Sequence, residues 1–462
     1  MIPTLLLNIH RPHDKVAQIL GRINGTFFYR GLWFTNTSFL ATSDPENVHY
    51  ILSSNSSVYL KGPEWLKQFD IFGEALFNSD GRHGNVTEKL SMLSSITHKS
   101  GNHFQRHAFD IGCIMGMGFN PGVLSIEFPE NRFHKATNAA MEAAFCSYVM
   151  PDCLWKLQSW LQIGKEKKRS DAWKAFDDPL TQCISIQRHK SNKTMASSNE
   201  DNDFSFLNCY LTGNYRLTRE EIKRHLPMKQ VEGGLHIPSN YDELSKLTYL
   251  HAALCETLRL YPPVSFEFRS CTKPDFLPSG HRVDRSTRDL IGIHAMGRME
   301  SLWGEDCYEL KPERWISEEG KIKRESPSKF CAFLAGPRIC PGKEVSFLVM
   351  KTTAAAIMHN YNVDVLEGQN IRPKNSVLCQ MKKGLMVGHG DIIKRSLSWS
   401  KYYVRLPNIK SSTTHVLGGK YNQIDGWLQL NTDGLIKVAS RLTAAGESWE
   451  MIERSGFWAS IL

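Results

Sequence analysis

The chain opens without a membrane-spanning run. Its N-terminal apolar cluster, Ile2 to Leu7, falls far short of the ~20 residues a spanning helix needs and lacks the layout of a signal peptide. Heptads, tandem repeats and a P-loop are absent, and the cysteines show no zinc-ligand spacing. These absences exclude a coiled coil, a solenoid, a Walker-type nucleotide site and a structural zinc module. The 11 cysteines are odd in number and have no paired spacing, which fits a reducing compartment, so the sequons at Asn24, Asn36 and Asn55 have no evident glycosylation context. Basic charge is not scarce: 56 Lys and Arg against 47 Asp and Glu give +9, which suits a membrane surface, an acidic redox partner or nucleic acid about equally. With 462 residues and 41% hydrophobic content, the chain can bury a large core.

The stretch that carries chemistry is FCAFLAGPRICPGK, Phe330 to Lys343. A thiolate that must stay deprotonated and aimed at a metal is best held at a helix N-terminus, where unpaired N–H groups and the macrodipole favour negative charge. Cys340 stands at such a start. KEVSFLVMKTTAAAIMHNY after it reads as a long helix, with Glu344 in the first turn and Val345, Leu348, Val349 and Ala356 at helical spacing. Pro341 suits a first helical turn. Gly336 and Gly342 allow a tight loop beneath a flat group, and the fork of Arg338 could grip a carboxylate two residues before the thiolate.

The spacing Phe333-x-x-Gly336-x-Arg338-x-Cys340-x-Gly342 resembles the haem-binding loop of the cytochrome P450 monooxygenases. The resemblance implies a mainly α fold with small β-sheets. It also implies haem b (iron protoporphyrin IX) held by Cys340 as proximal ligand, with Phe333 packed by the thiolate and Arg338 on a propionate. Two further motifs agree. In LSKLTYLHAALCETLRLYPPV, leucines at 244, 247, 250, 254 and 258 predict one amphipathic helix stopped by Pro262 and Pro263. Glu256 and Arg259 then share a face as an i, i+3 pair. They match the family's ExxR motif, and Arg314 in PERW matches the third member of its structural charge cluster. Arg269, in FEFR, aligns with a basic residue that meets a propionate.

Gly280 to Trp315 resembles the plant enzymes that hydroxylate long fatty acids and wax alkanes. LLLNIH, NGTFFYRGLWF, DPENVHYILSSN, NPGVLSIEFPE and LWKLQSWLQIGKEKK resemble the same group, nearest to the midchain alkane hydroxylases. What this implies is hydroxylation of a long-chain fatty acid or alkane, electrons from NADPH through cytochrome P450 reductase, and a monomer. Relatives sit at the endoplasmic reticulum through an N-terminal anchor. This chain begins after that anchor, so a cytosolic or peripheral location is expected.

Three family features are missing. No AGxDTT-like run, the proton-delivering part of the distal helix, precedes Leu244, where the chain reads SSNEDNDFSFLNCYLTGNYRLTREEIKRHLPMKQVEGGLHIPSN. No tryptophan lies between Trp65 and Trp155, so the WxxxR propionate contact is lost, and His98, His103 and His107 in that interval read as incidental polar residues. The anchor is the third.

The family pattern ends at Met386 to Val387. Residues 391–424 are basic and serine-rich and read as a linker. DGWLQLNTDGLIKVASRLTAAG then suggests a strand ending in an Asn431-Thr432-Asp433-Gly434 turn. This resembles the opening of a retroelement ribonuclease H domain, in which Asp433 would be the first of several metal-binding carboxylates. Residues 425–462 are thus expected to form a truncated α/β fragment behind an incomplete cytochrome P450-like domain, 1–390. Two other readings stay open: an inactive haem binder or a chain that does not fold, and nucleic-acid binding through the basic C-terminal segment.

Overall fold

The computed structural model describes residues 12–70 (without 24 and 31–37), 106, 109–114, 121–123, 132–176, 181, 185, 241–340 (without 286), 342–360, short pieces between 364 and 388, and strand residues between 423 and 437. Helix α1 (Pro12–Arg22) carries Asp14 in its first turn and Arg22 in its last, as the helix dipole favours. It leads into β1 (Thr26–Tyr29) and β2 (Phe39–Thr42), then β3 (Tyr59–Leu60). Much later come β4 (Glu267–Cys271), the ribbon of β5 (Asp275–Phe276) and β6 (Arg282–Val283), and β7 (Arg288–Ile291). These form a five-stranded sheet in the order β1-β2-β7-β4-β3, with β5 and β6 paired separately. The β2–β7 pair is parallel, with Phe39 opposite Arg288, and β4–β7 is antiparallel, with Arg269 opposite Asp289.

Strand alternation sorts this sheet into two faces. Leu40, Tyr59, Cys271 and Ile291 enter a core shared with Cys331 and Ala335, whereas Ala41 and Leu290 pack with Val16 and Leu20 of α1. One face of the sheet thus lies against the loop that precedes Cys340.

Helix α2 (Pro45–His49) starts where its sequence says it should. The Asp44 carboxylate accepts from the Glu46 N–H at 2.8 Å, and Pro45 fills the first turn. A π-helical turn, Tyr50–Ser54, continues it. Then follow α3 (Gly62–Gln68), α4 (Arg132–Val149), α5 (Asp152–Leu161), α6 (Tyr241–Lys246) and α7 (Thr248–Leu260).

The single helix expected from Leu244 onward is two. The chain breaks at Leu247 (φ −75°, ψ 70°). The Leu244 carbonyl, which an unbroken helix would pair with the Thr248 N–H, instead accepts from the Leu247 N–H at 3.4 Å and from the buried Lys351 Nζ at 2.9 Å. The stop is as expected: α7 ends at Leu260, ahead of Pro262 and Pro263. Short helices α8 (Ile293–Met296) and α9 (Glu300–Trp303) and three 3₁₀ turns (Pro312–Trp315, Cys331–Phe333, Gly336–Arg338) lead to α10 (Lys343–Asn360). β8 (Asp364–Val365) pairs with β9 (Val387–Gly388).

Toward the C-terminus, β10 (Gln423–Ile424), β11 (Trp427–Leu430) and β12 (Gly434–Lys437) form an antiparallel ladder, with Leu430 opposite Gly434. The strand expected around Leu428 and Leu430 is present, and β10 lies within 391–424. Asp433 falls outside the described residues, as do Pro341, His98, His103, His107, the N-terminal cluster Ile2 to Leu7 and nearly all of the stretch in which the distal motif was sought. Among the described residues no helix is long and apolar enough to cross a membrane.

Candidate functional site

The loop before α10 is folded by its own backbone. The Leu334 N–H donates to the Cys331 carbonyl at 3.0 Å, the Ile339 N–H to Gly336 at 3.1 Å, and the Cys340 N–H returns to the Phe333 carbonyl at 2.7 Å. This closure leaves Cys340 half-buried, three residues ahead of the first residue of α10. The Gly342 carbonyl accepts from both the N–H and the hydroxyl of Ser346, at 2.8 and 2.7 Å, which fixes the entry into α10.

Of the two glycines expected to free this loop, Gly336 does so, with φ +68°. A side chain there would also strike the Leu52 carbonyl of the π-helical turn. Gly342 contributes a carbonyl to the hydrogen-bonded turn that opens α10. A residue not singled out in the sequence shares the burden: Leu334 sits at φ 59°, ψ −173°, a region nearly reserved for glycine and strained by about 1–3 kcal/mol for other residues. Its side chain packs on the sheet-facing core, which holds it there. Nothing in its sequence context signals this.

Phe333 is buried, 5.4 Å from the Phe347 ring of α10, with Lys343 Nζ 5.7 Å from its centroid. Cys340 packs against the same apolar cluster, which also holds Cys255, Trp303 and Trp315. Burial pushes the Cys255 thiol up to about 12. His251 stacks on Phe347 at 4.3 Å, and burial, then Lys351 and Lys343, lower it to about 4. Arg338 is buried.

Glu256, Arg259 and Arg314 meet as expected. Arg259 makes two parallel bonds to the Glu256 carboxylate, Nη2 to Oε1 and Nε to Oε2, both at 2.7 Å. Arg314 Nε reaches Oε1 at 3.3 Å, the Lys311 N–H reaches it at 3.0 Å, and the Trp315 indole N–H reaches Oε2 at 2.8 Å. The remaining bonds go to carbonyls: Arg259 Nη1 to Gly297 and Cys307, its Nη2 also to Glu309, and Arg314 to Trp303 and Asp306. Neither Glu256 nor Arg259 has any side-chain exposure. At the rim, hydrogen bonds from Lys311 and Arg314 hold the Asp306 carboxyl down at about 2. The cluster joins α7, α9 and the Pro312–Trp315 turn, a structural rather than a reactive arrangement.

Arg269 lies elsewhere, on the sheet face that fronts the loop. It pairs with Glu267, two residues back on the same face of β4, and Nη1 donates to the Phe268 carbonyl at 2.7 Å. Its Nη2 is buried without a hydrogen-bond partner. The Cys331 thiol feels both charges and is pushed up to about 12, mainly by burial. Sequence reasoning missed Glu267, although the period-2 spacing to Arg269 contained it. It also missed Asp289, which is 0% exposed in β7 with neither carboxylate oxygen hydrogen-bonded. Burial holds the Asp289 carboxyl well above the usual carboxylate range.

A cytochrome P450 family model matches residues 215–388. Alkane hydroxylase MAH1 of Arabidopsis thaliana is 35% identical over 453 residues, covering 84% of this chain and 91% of that protein. Noroxomaritidine synthase of Narcissus aff. pseudonarcissus MK-2014 is 32% identical over 470 residues, covering 86% and 90%. Cytochrome P450 86B1 of Arabidopsis thaliana is 30% identical over 486 residues, covering 88% and 86%. The mainly helical fold with small sheets, the loop around Cys340 and likeness along most of these relatives' length lead to one conclusion: the chain belongs to the cytochrome P450 family.

Proposed function

We propose that the chain is a haem-thiolate monooxygenase that hydroxylates a long-chain fatty acid or alkane, with electrons drawn from NADPH through a reductase. A relative named as an alkane hydroxylase supports the substrate class. Bound haem would supply the oxygen-activating, electron-accepting centre. The residues present fit that group: Arg269 Nη2 is a buried cationic donor with an unused hydrogen bond. A carboxylate group such as a propionate is the partner it lacks.

In this reading Cys340 is the proximal ligand, its thiolate favoured by the start of α10. Arg338 and Arg269 hold the propionates, Phe333 shields the thiolate, and Gly336 and Gly342 shape the loop. Glu256, Arg259 and Arg314 fix the elements behind it. Residues 1–390 form this domain, which is cytosolic or peripheral to the endoplasmic reticulum where its relatives sit, and 391–424 link it to a ribonuclease H-like fragment, 425–462. Hydrolysis by metal ions requires several convergent carboxylates, of which Asp433 would be one, so no nuclease step is assigned.

The observation that carries the proposal is the pairing of Cys340, held at a helix start, with an arginine of incomplete hydrogen bonding on the facing sheet. The test is turnover of haem-supplemented protein with reductase and NADPH on long alkanes and fatty acids under isotopically labelled oxygen gas. Labelled alcohol from the wild type and none from Cys340→Ala is expected. The missing acid–alcohol run in the sequence favours one rival, a haem binder without oxygen insertion. Full haem incorporation with no labelled product in any substrate class would establish it.

A further inference from the structure

Of the 20 prolines in the chain, Pro327 alone follows a serine or threonine. The step reads Ser326-Pro327-Ser328-Lys329, with a cation three residues after the first serine. Ser326 and Pro327 are exposed, and residues 323–326 belong to no helix or strand. Proline has no N–H, so a groove that offers no hydrogen-bond acceptor to the residue after a serine selects proline there over every other residue. Proline-directed kinases have such a groove.

The surroundings of Ser326 are arranged to receive a phosphate. Lys323 Nζ and Lys329 Nζ both reach the Glu325 carboxylate, each at 3.1 Å, so two amines already converge on the residue beside it. Burial works against the Glu325 charge, yet hydrogen bonds from these lysines hold its carboxyl below the usual range. Lys321 and Arg324 are exposed alongside, so four cations face one acid across residues 321–329. The Ser328 N–H donates to the Ser326 hydroxyl oxygen at 3.3 Å, and the two hydroxyl oxygens lie 2.8 Å apart. The turn itself is closed by backbone: the Lys329 and Phe330 N–H groups donate to the Ser326 carbonyl at 2.9 and 2.8 Å. A phosphoryl group on the hydroxyl adds about −1.5 to −2 of charge and three acceptor oxygens, a stronger partner for both amines than one carboxylate.

We propose that Ser326 is a phosphorylation site for a proline-directed kinase and that its phosphate takes Lys323 and Lys329 from Glu325. In the transfer the Ser326 oxygen bonds to the γ-phosphorus of ATP, the bond from that phosphorus to the bridging oxygen breaks, ADP leaves, and the hydroxyl proton passes to a carboxylate of the kinase. Lys329 Nζ lies 4.5 Å from the centroid of the Trp303 ring, and the Arg259 guanidinium lies 5.0 Å from the same ring. The modified turn thus adjoins the Glu256, Arg259 and Arg314 cluster. The inference does not rest on the catalytic reading, because its probe is phosphate transfer to the whole chain.

The experiment is incubation of the purified, folded protein with a cyclin-dependent kinase and ATP, read by peptide mass spectrometry and phosphorus NMR. Phosphate is expected at Ser326, none on Ser326→Ala, and loss of nearly all incorporation on Pro327→Ala. The second ionisation of the phosphate should lie roughly half a unit below the ~6 of free phosphoserine. Lys323→Met, which leaves the serine–proline step and Lys329 intact, should shrink that shift. All three substituted side chains are exposed, so melting temperatures stay at the wild-type value. No incorporation into folded wild type beside a phosphorylated histone control overturns the proposal, as does incorporation only after denaturation or equal incorporation into Pro327→Ala. A phosphate that ionises like free phosphoserine overturns the part given to the lysines.

Discussion

Two buried charge constellations, only a few elements apart, are built in opposite ways. Around Glu256, Arg259 and Arg314 every carboxylate oxygen and guanidinium nitrogen has at least one partner, most of them backbone carbonyls or side chains fixed in short turns. On the sheet face fronting the Cys340 loop, Arg269 keeps an unused Nη2 and Asp289 has two unused oxygens, at comparable burial. Burying an ion is tolerable when its hydrogen bonds are complete and costly when they are not. A saturated cluster is therefore a strut. An unsaturated one is either waiting for a ligand or a weakness, and Arg269 and Asp289 divide into those two cases.

The strut should fail hardest. Arg259→Ala leaves Glu256 buried beside a lost bidentate partner and is expected to cost about 3–5 kcal/mol, read from chemical denaturation. A loss below about 1 kcal/mol would place the cluster among exposed ion pairs.

Acid is the next lever, through a third buried site. His13 is 3% exposed, stacked on Phe266 at 5.1 Å, with neither ring nitrogen hydrogen-bonded. Burial, then the nearby His294 and Arg298, lower it to about 4, against a pull upward from Asp14. The unfolded chain takes up this proton near pH 6.5 and the folded chain does not, so stability falls as pH drops from 6.5 toward about 4. His294 adds to the same slope. Its Nδ1 lies 3.2 Å from Arg298 Nη1, which can only donate, so its Nε2 carries the hydrogen facing Asp14 at 3.2 Å, and burial lowers its pKa. His13→Phe should remove about 3 kcal/mol of the loss at the acid end, visible as a flatter profile of melting temperature against pH.

Arg269 separates ligand from strut. Arg269→Gln should weaken haem retention by about ten- to a hundredfold, the value of one charge-assisted hydrogen bond, measured by transfer of haem to apomyoglobin. Arg259→Gln should instead lower stability before it alters haem affinity. Equal effects from the two variants would erase the distinction.

The smallest expected change has the opposite sign. Asp289 keeps its proton in the folded chain because burial holds its pKa well up, whereas the unfolded carboxyl ionises in the usual range. Stability is therefore lost as pH rises above that range, and Asp289→Val should stabilise by about 1–3 kcal/mol near neutrality and by less in acid. Destabilisation would mean that Asp289 has a partner which the ligand-free geometry lacks.

These contrasts also explain what was legible in the sequence. The strut was readable because its two key residues are three apart on a helix that prolines terminate, so local periodicity placed them together. The Cys340 loop was readable because a thiolate before a long helix has few other uses. The break at Leu247 was not, since the Lys351 amine that bonds the Leu244 carbonyl there is 107 residues away from it. The facing of Arg269 and Asp289 was equally hidden, because it depends on the register of β4 and β7 and not on spacing. Leu334 gave no signal, as its strained φ comes from closure of the loop around it.

The central claim is that Cys340 binds haem iron as a thiolate, backed by the strut and faced by Arg269. The carbon monoxide difference spectrum of the reduced, haem-supplemented protein tests it most directly. The account predicts the strongly red-shifted Soret band of thiolate ligation, absent from Cys340→Ala. Haem bound without that band in soluble, monodisperse wild-type protein would contradict it.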